Sequence, residues 1–226
     1  QQWRTGMNSM PVFPVGTPEA FYQLLKAGAP DPATGKPNPS SMPAFFAAHP
    51  ETAPFLAWVK TAKPSASYAT ETYNGINAFY LVAADGTRQA VRWEVVPQSQ
   101  DAAGDTAPAG SDFLEQDLVR RLAAGPLRWQ LNMTLANPGD PLDDASKTWT
   151  GAHKVLNAGT LVLQSSQPQA DGDCRDINFD PLILPSGIQA SNDPLLAARS
   201  AAYASSYLRR AGEVSPLHSA PQESKP

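Results

Sequence analysis

Three side chains near the end of the chain have types and spacing that could do chemistry. Arg199, Tyr203 and Arg210 lie in the stretch from Asp193 to Gly212. On an α-helix Arg199 and Tyr203, four residues apart, share a face. Arg210, seven beyond the tyrosine, returns to nearly the same face. Nearby positive charge favours a phenolate over a phenol, and a phenolate is a hard, anionic oxygen ligand suited to ferric iron. A surface helix with a half-buried tyrosine and solvated arginines would carry the same residues, so the spacing alone is a weak signal.

The stretch that holds them reads as a helix. Asn192 or Asp193 can cap it, Pro194 suits its first turn and Gly212 can end it. Upstream, Met10 to Val15 is a short apolar run whose two prolines argue against helix. A helix follows from Pro18 with Thr17 as its cap. A Pro/Gly-rich connector then leads to a second helix from Ser41, itself available as a cap, to His49. His49 at that end complements the helix dipole. A third helix is expected over about 51–62. Then the period changes. Residues 75–83 and 89–97 alternate around Asp85-Gly86, a hairpin signal. Residues 98–110 read as a loop, 113–124 as an amphipathic helix with Leu114, Leu118 and Leu122 on one side, and 127–135 as a strand. A polar loop from Asn137 to about Asn157 precedes a last strand over 159–164. That makes four strands, which leave two unpaired edges and cannot close into a barrel by themselves.

Composition sets the outer bounds. The 226 residues, 42% hydrophobic and 17% charged, suit one globular domain over 1–212, followed by a Pro/Ser tail over 213–226 expected to be disordered. A net charge of −4 gives no basic stripe, so neither nucleic acid nor an anionic membrane is an expected partner. No apolar run approaches membrane-spanning length. Three histidines and one cysteine exclude a Cys/His zinc cluster of ordinary spacing. Cys174, between Asp173 and Asp176, is a poor nucleophile. No leader is visible at Gln1, and a mature exported form would show none, so periplasm and cytoplasm both stay open.

Around the arginine–tyrosine helix the sequence resembles the haem catalases. Phe179-Asp-Pro-Leu-Ile-Leu-Pro-Ser-Gly-Ile188 is similar to the segment that leads into that family's haem-tyrosine helix, and Gly159-Thr-Leu-Val-Leu163 to its Gly-Lys-Leu-Val-Leu strand. The Arg-x-x-x-Tyr spacing and the arginine seven residues later match as well. Where the family continues Tyr-Pro-Asp-Thr-His-Arg, this chain reads Tyr203-Ala-Ser-Ser-Tyr-Leu208, which points to the smaller branch, the catalase-related peroxidases. Pro11-Val-Phe13 resembles the family's Pro-Ile-Phe.

The resemblance implies an α+β fold, a catalase-like antiparallel β-barrel with surrounding helices, of which about half the strands lie in this chain. It implies haem b, with its iron held by Tyr203, Arg199 keeping that ligand ionised and Arg210 supporting it or reaching a propionate. Phe21 falls where the family packs a phenylalanine on the haem, although ordinary core packing would place an aromatic there too. The family's distal asparagine, which hydrogen-bonds peroxide, corresponds in offset to Ser9, with Asn8 one residue upstream; Asn8 is the candidate for that role. The distal-histidine motif is absent, since His49, His153 and His218 sit in unrelated contexts. The expectation is that it lies in an N-terminal portion before Gln1, or that a separate fragment completes the barrel. The implied partners are a peroxide and a small-molecule electron donor, with a homo-oligomer as a further expectation. The implied reaction is decomposition of hydrogen peroxide or organic hydroperoxides. Two rivals are a haem-binding or haem-storage module without turnover and a cofactor-free half-barrel.

Overall fold

A computed structural model describes residues 1–98, 110–168 and 176–212. The loop expected over 98–110 falls outside them except at its ends, as do Cys174 and the tail over 213–226. The described residues form an α+β fold: five α-helices around one antiparallel sheet that curls into part of a barrel.

The helices begin where the residue types dictate. Thr17 accepts a hydrogen bond at Oγ1 from the Ala20 amide (3.2 Å), and α1 runs Pro18–Gly28 with proline in its first turn. Helix α2 is Ser41–Ala48; its N-cap is Ser40, one residue earlier than expected, and makes no side-chain cap bond. The expected third helix divides into a 3₁₀ turn, Pro50–Thr52, and α3, Ala53–Val59. Two prolines, Pro50 and Pro54, explain the break, because each removes an amide donor from the ladder. His49 closes α2 and bonds Glu51 Oε1 through Nδ1 (2.8 Å) and Gln23 Oε1 through Nε2 (3.0 Å).

The sheet has five strands where the sequence suggested four. Strands β1 (Tyr73–Val82) and β2 (Arg88–Pro97) form the expected hairpin, with Gly86 at φ 85. Helix α4 (Phe113–Ala124) precedes β3 (Leu127–Leu135) and β4 (Val155–Leu163), and the added strand, β5, is Ile188–Ala190. The order is β4-β3-β2-β1-β5. Strand β5 pairs Ile188 with Leu81 and Ala190 with Phe79, too short a run for alternation to register in the sequence. Strand β4 starts at Val155, inside the stretch expected to be loop. It is an edge strand without a charged residue, exposed along all but its last position.

Helix α5, Pro194–Gly212, lies against the sheet. Its Leu196 is 1% exposed and packs with Phe79, Val91 and Trp93. Burying a leucine this fully stabilises by roughly 1.5–3 kcal/mol. A second cluster of Val95, Leu127 and Trp129 receives Leu118 and Leu122 from α4, the face that leucine spacing predicted. Among the described residues no helix is long and apolar enough to cross a membrane.

Candidate functional site

Five segments meet at one cavity of about 630 Å³: residues 6–8, Phe13, α1, the middle of β1 and the first half of α5. The volume lies within the range of small-molecule and cofactor sites. Its lining is mostly apolar, and Asn8, Phe21, Arg199 and Tyr203 all contribute to it. Four of the five residues singled out in the sequence therefore share one space.

The α5 wall is built from a chain of hydrogen bonds. Asp193, 3% exposed, caps the helix by accepting the Leu195 amide at Oδ1 (2.9 Å). Its Oδ2 accepts from Asn77 Nδ2 (2.9 Å), and Asn77 Oδ1 accepts from Arg199 Nη1 (2.7 Å). Arg199 Nη2 donates to the Gly6 carbonyl (3.4 Å) and to the Tyr203 hydroxyl oxygen (3.3 Å). Every polar atom of the Asn77 amide is thereby aimed by a charged neighbour. Asn77 reaches α5 because the β1–β2 register shifts between Gly75 and Phe79, and it lies in that irregular stretch. Burial pushes the Asp193 carboxyl above the usual aspartate range, with the bonds from Asn77 and Leu195 opposing it.

The facing wall is also fixed by backbone. Asn8 and Asn74 form an isolated bridge, Asn8 N to Asn74 O at 3.2 Å and Asn74 N to Asn8 O at 2.7 Å. That leaves the Asn8 side chain with a buried Oδ1 that has no partner among the described residues. Phe21 packs against Phe13 with ring centroids 5.1 Å apart. Gly6 keeps the floor open, since a Cβ there would sit 3.1 Å from Arg199 Nη2.

Arg210 is placed elsewhere. It donates to Ser206 Oγ (2.9 Å) and to the Ile177 carbonyl (3.2 Å), and it does not line the cavity. Asn77 and Asp193 are the functional candidates that sequence reading missed in this role. Asp193 was legible as a helix cap, but Asn77 lies 116 residues from it, and no local pattern links the two.

A curled antiparallel half-barrel with a tyrosine-bearing helix packed against it defines the class. The chain belongs to the catalase family, whose model matches residues 2–216. Among known relatives it is 40% identical over 205 residues to a catalase-related peroxidase of Synechococcus elongatus, covering 88% of this chain and 60% of that protein. A catalase-related peroxidase of Mycolicibacterium paratuberculosis is 32% identical over 200 residues, covering 87% of this chain and 62% of that protein. The chain thus spans about three fifths of the length of both relatives. In structure it is similar to a fungal catalase, with TM-score 0.77 at 18% identity, over 92% of this chain and 45% of that one. Catalase A from Saccharomyces cerevisiae gives 0.76 at 18% identity, over 91% and 46%. At those identities the likeness speaks for the fold, and it agrees with the half-barrel described above.

Proposed function

We propose that this chain forms the haem-holding part of an oxidoreductase that decomposes peroxide, with Tyr203 as the iron ligand. One observation carries the reading: Tyr203, its oxygen held by Arg199, lines an apolar cavity beside Asn8, whose buried amide oxygen has no partner among the described residues. The cavity fits a flat apolar macrocycle: its lining is largely apolar, and Gly6 leaves clear a volume that a Cβ would fill. Haem b, when bound, would supply the two-electron redox chemistry that acts on the peroxide O–O bond.

The chain's own residues have separable tasks. Tyr203 would hold the iron through its phenol oxygen. Arg199 sets positive charge beside that oxygen, and Asn77 and Asp193 fix where the charge sits. Phe21 would pack against the ring, and the surrounding apolar side chains exclude water. Asn8 Oδ1 is an acceptor for the O–H of a peroxide. Arg210, bonded to Ile177 and Ser206, would steady the end of α5 that carries the ligand. Among the described residues that line the cavity there is no His, Asp or Glu side chain, so no residue of this chain is assigned the peroxide proton. A small-molecule electron donor is the partner that reduction of peroxide requires.

A second reading is a haem-binding or haem-storage module without turnover, which would use Arg199 and Tyr203 and need no base in the cavity. Two measurements decide. Haem titration of the wild-type chain and of Tyr203→Phe should give a Soret band that shifts or is lost in the variant, and a variant with the wild-type spectrum would remove Tyr203 from the site. Peroxide consumption by the loaded wild type, with an organic donor present, separates the enzyme from the module.

A further inference from the structure

We infer that Arg92 is a positioning residue that holds the two walls of the cavity in register, acting through the loop over 140–149; the role in haem binding rests on the reading proposed above. Arg92 lies on β2 with its guanidinium turned away from the core. Nη1 donates to the Lys147 carbonyl (2.9 Å), and Nη2 donates to those of Asp144 (3.3 Å) and Pro141 (3.4 Å). The guanidinium also stacks on the Trp149 ring at 4.7 Å. One planar fork thus organises a loop that has no ladder of its own.

The loop then touches both walls. Its Ala145 carbonyl accepts the Phe13 amide (2.9 Å), on the side that carries the cavity residues Phe13 and Phe21. The Asp144 carboxylate lies against Gly16, where a Cβ would come within 2.6 Å of Oδ1. On the other side Asp143 Oδ1 accepts the Asn192 amide (2.8 Å), one residue before Asp193. From Asp193 the contacts run through Asn77 to Arg199 and Tyr203.

As a stabilising device Arg92 is a poor choice. Its Nε is buried with no partner among the described residues, and burial lowers its pKa to about 10 against the pull of Asp193, Asp140 and Asp144. A desolvated cation with an unmet donor is a liability for stability alone. Its geometric yield is a fixed relation between α5 and the segment leading into α1.

The test is amide hydrogen exchange on the chain without haem, comparing wild type, Arg92→Met, Arg92→Lys and Asp143→Asn. In Arg92→Met the Phe13, Asn192 and Leu195 amides should lose about tenfold or more in protection together, while the β2–β3 ladder keeps its own. Arg92→Lys, which keeps charge but not the fork, should lose less, and it serves if the methionine variant does not fold. Asp143→Asn should loosen Asn192 and Leu195 and leave Phe13 unchanged. Loss confined to loop amides, with Phe13 and Leu195 still protected, overturns the inference. Haem titration is read separately: Arg92→Met should bind about tenfold more weakly. A wild-type chain that binds no haem would overturn the proposed function and leave the exchange result to stand or fall by itself.

Discussion

Replacing Asn77 by leucine tests whether its amide holds Asp193 and Arg199 or merely fills space. Asn77 is 2% exposed and bonds a carboxylate at 2.9 Å and a guanidinium at 2.7 Å. Each hydrogen bond to a charged group contributes about 1.5–3 kcal/mol. Leucine, which has the same branched outline but is larger, returns about 1–2 kcal/mol through its own burial. The net loss is then about 1–5 kcal/mol, centred on about 3, or about 1 M in urea midpoint for a slope near 3 kcal/mol/M. The pH dependence is sharper than the size. Burial raises the Asp193 pKa in the folded state, so ionising it opposes folding. Its favourable contribution is complete below the ordinary aspartate range and is lost as pH rises through the raised folded value. Removing the Asn77 donor raises that value further, so the penalty in Asn77→Leu is largest at neutral pH. Urea unfolding of both proteins at pH 7 and at about pH 4.5 should show the gap narrowing in acid. A gap that stays the same at both pH values, or one under about 0.5 kcal/mol at pH 7, would refute the reasoning.

Further predictions concern other contacts. Asp117, 2% exposed, is pushed up by burial, but bonds from Ser67, Arg121 and Arg120 outweigh this and hold its pKa low. Its stabilisation is present above the ordinary aspartate range and is lost as pH falls through the lowered value, so Asp117→Asn should be less stable at pH 7 with the difference closing in acid, read by thermal unfolding. Gly6→Ala should leave stability within about 1 kcal/mol, because the side-chain end it meets can move. The same variant should weaken haem binding by displacing Arg199 from Tyr203. Gly75→Ala places a Cβ 2.6 Å from Trp93 Nε1, inside a rigid aromatic stack with Phe79 and Trp3, and should lower stability by about 1–3 kcal/mol with a changed tryptophan emission.

The elements legible in the sequence were those that announce themselves locally. Thr17 before Pro18 marked α1, the leucine spacing marked α4, and Asp193 before Pro194 marked α5. Strand β4 was shortened because Val155, Leu156 and Asn157 follow a polar loop and are exposed on both sides, which erases alternation. In the site, Arg199 and Tyr203 were readable because one helix carries both. Asn77 and Arg92 were not, since their partners lie 122 and about 50 residues away and depend on a register shift and a folded loop. Arg210 shows the limit of helical phase as a guide. Seven residues place it near the Tyr203 face, yet the Ile177 carbonyl and Ser206 take its guanidinium.

Strand β4 has a consequence for the chain's behaviour in bulk. Among the described residues no strand pairs with one side of it, and Leu161 and Val162 point to opposite faces at 52% and 36% exposure. Lysine, proline and inward charge, the usual guards of a sheet edge, are missing from its nine residues; only the bulge at Asn157–Gly159 interrupts it. Such an edge templates a further strand, whoever supplies it. A strand laid along that side would find its backbone partners already set at the sheet spacing, so pairing there needs no rearrangement of β4.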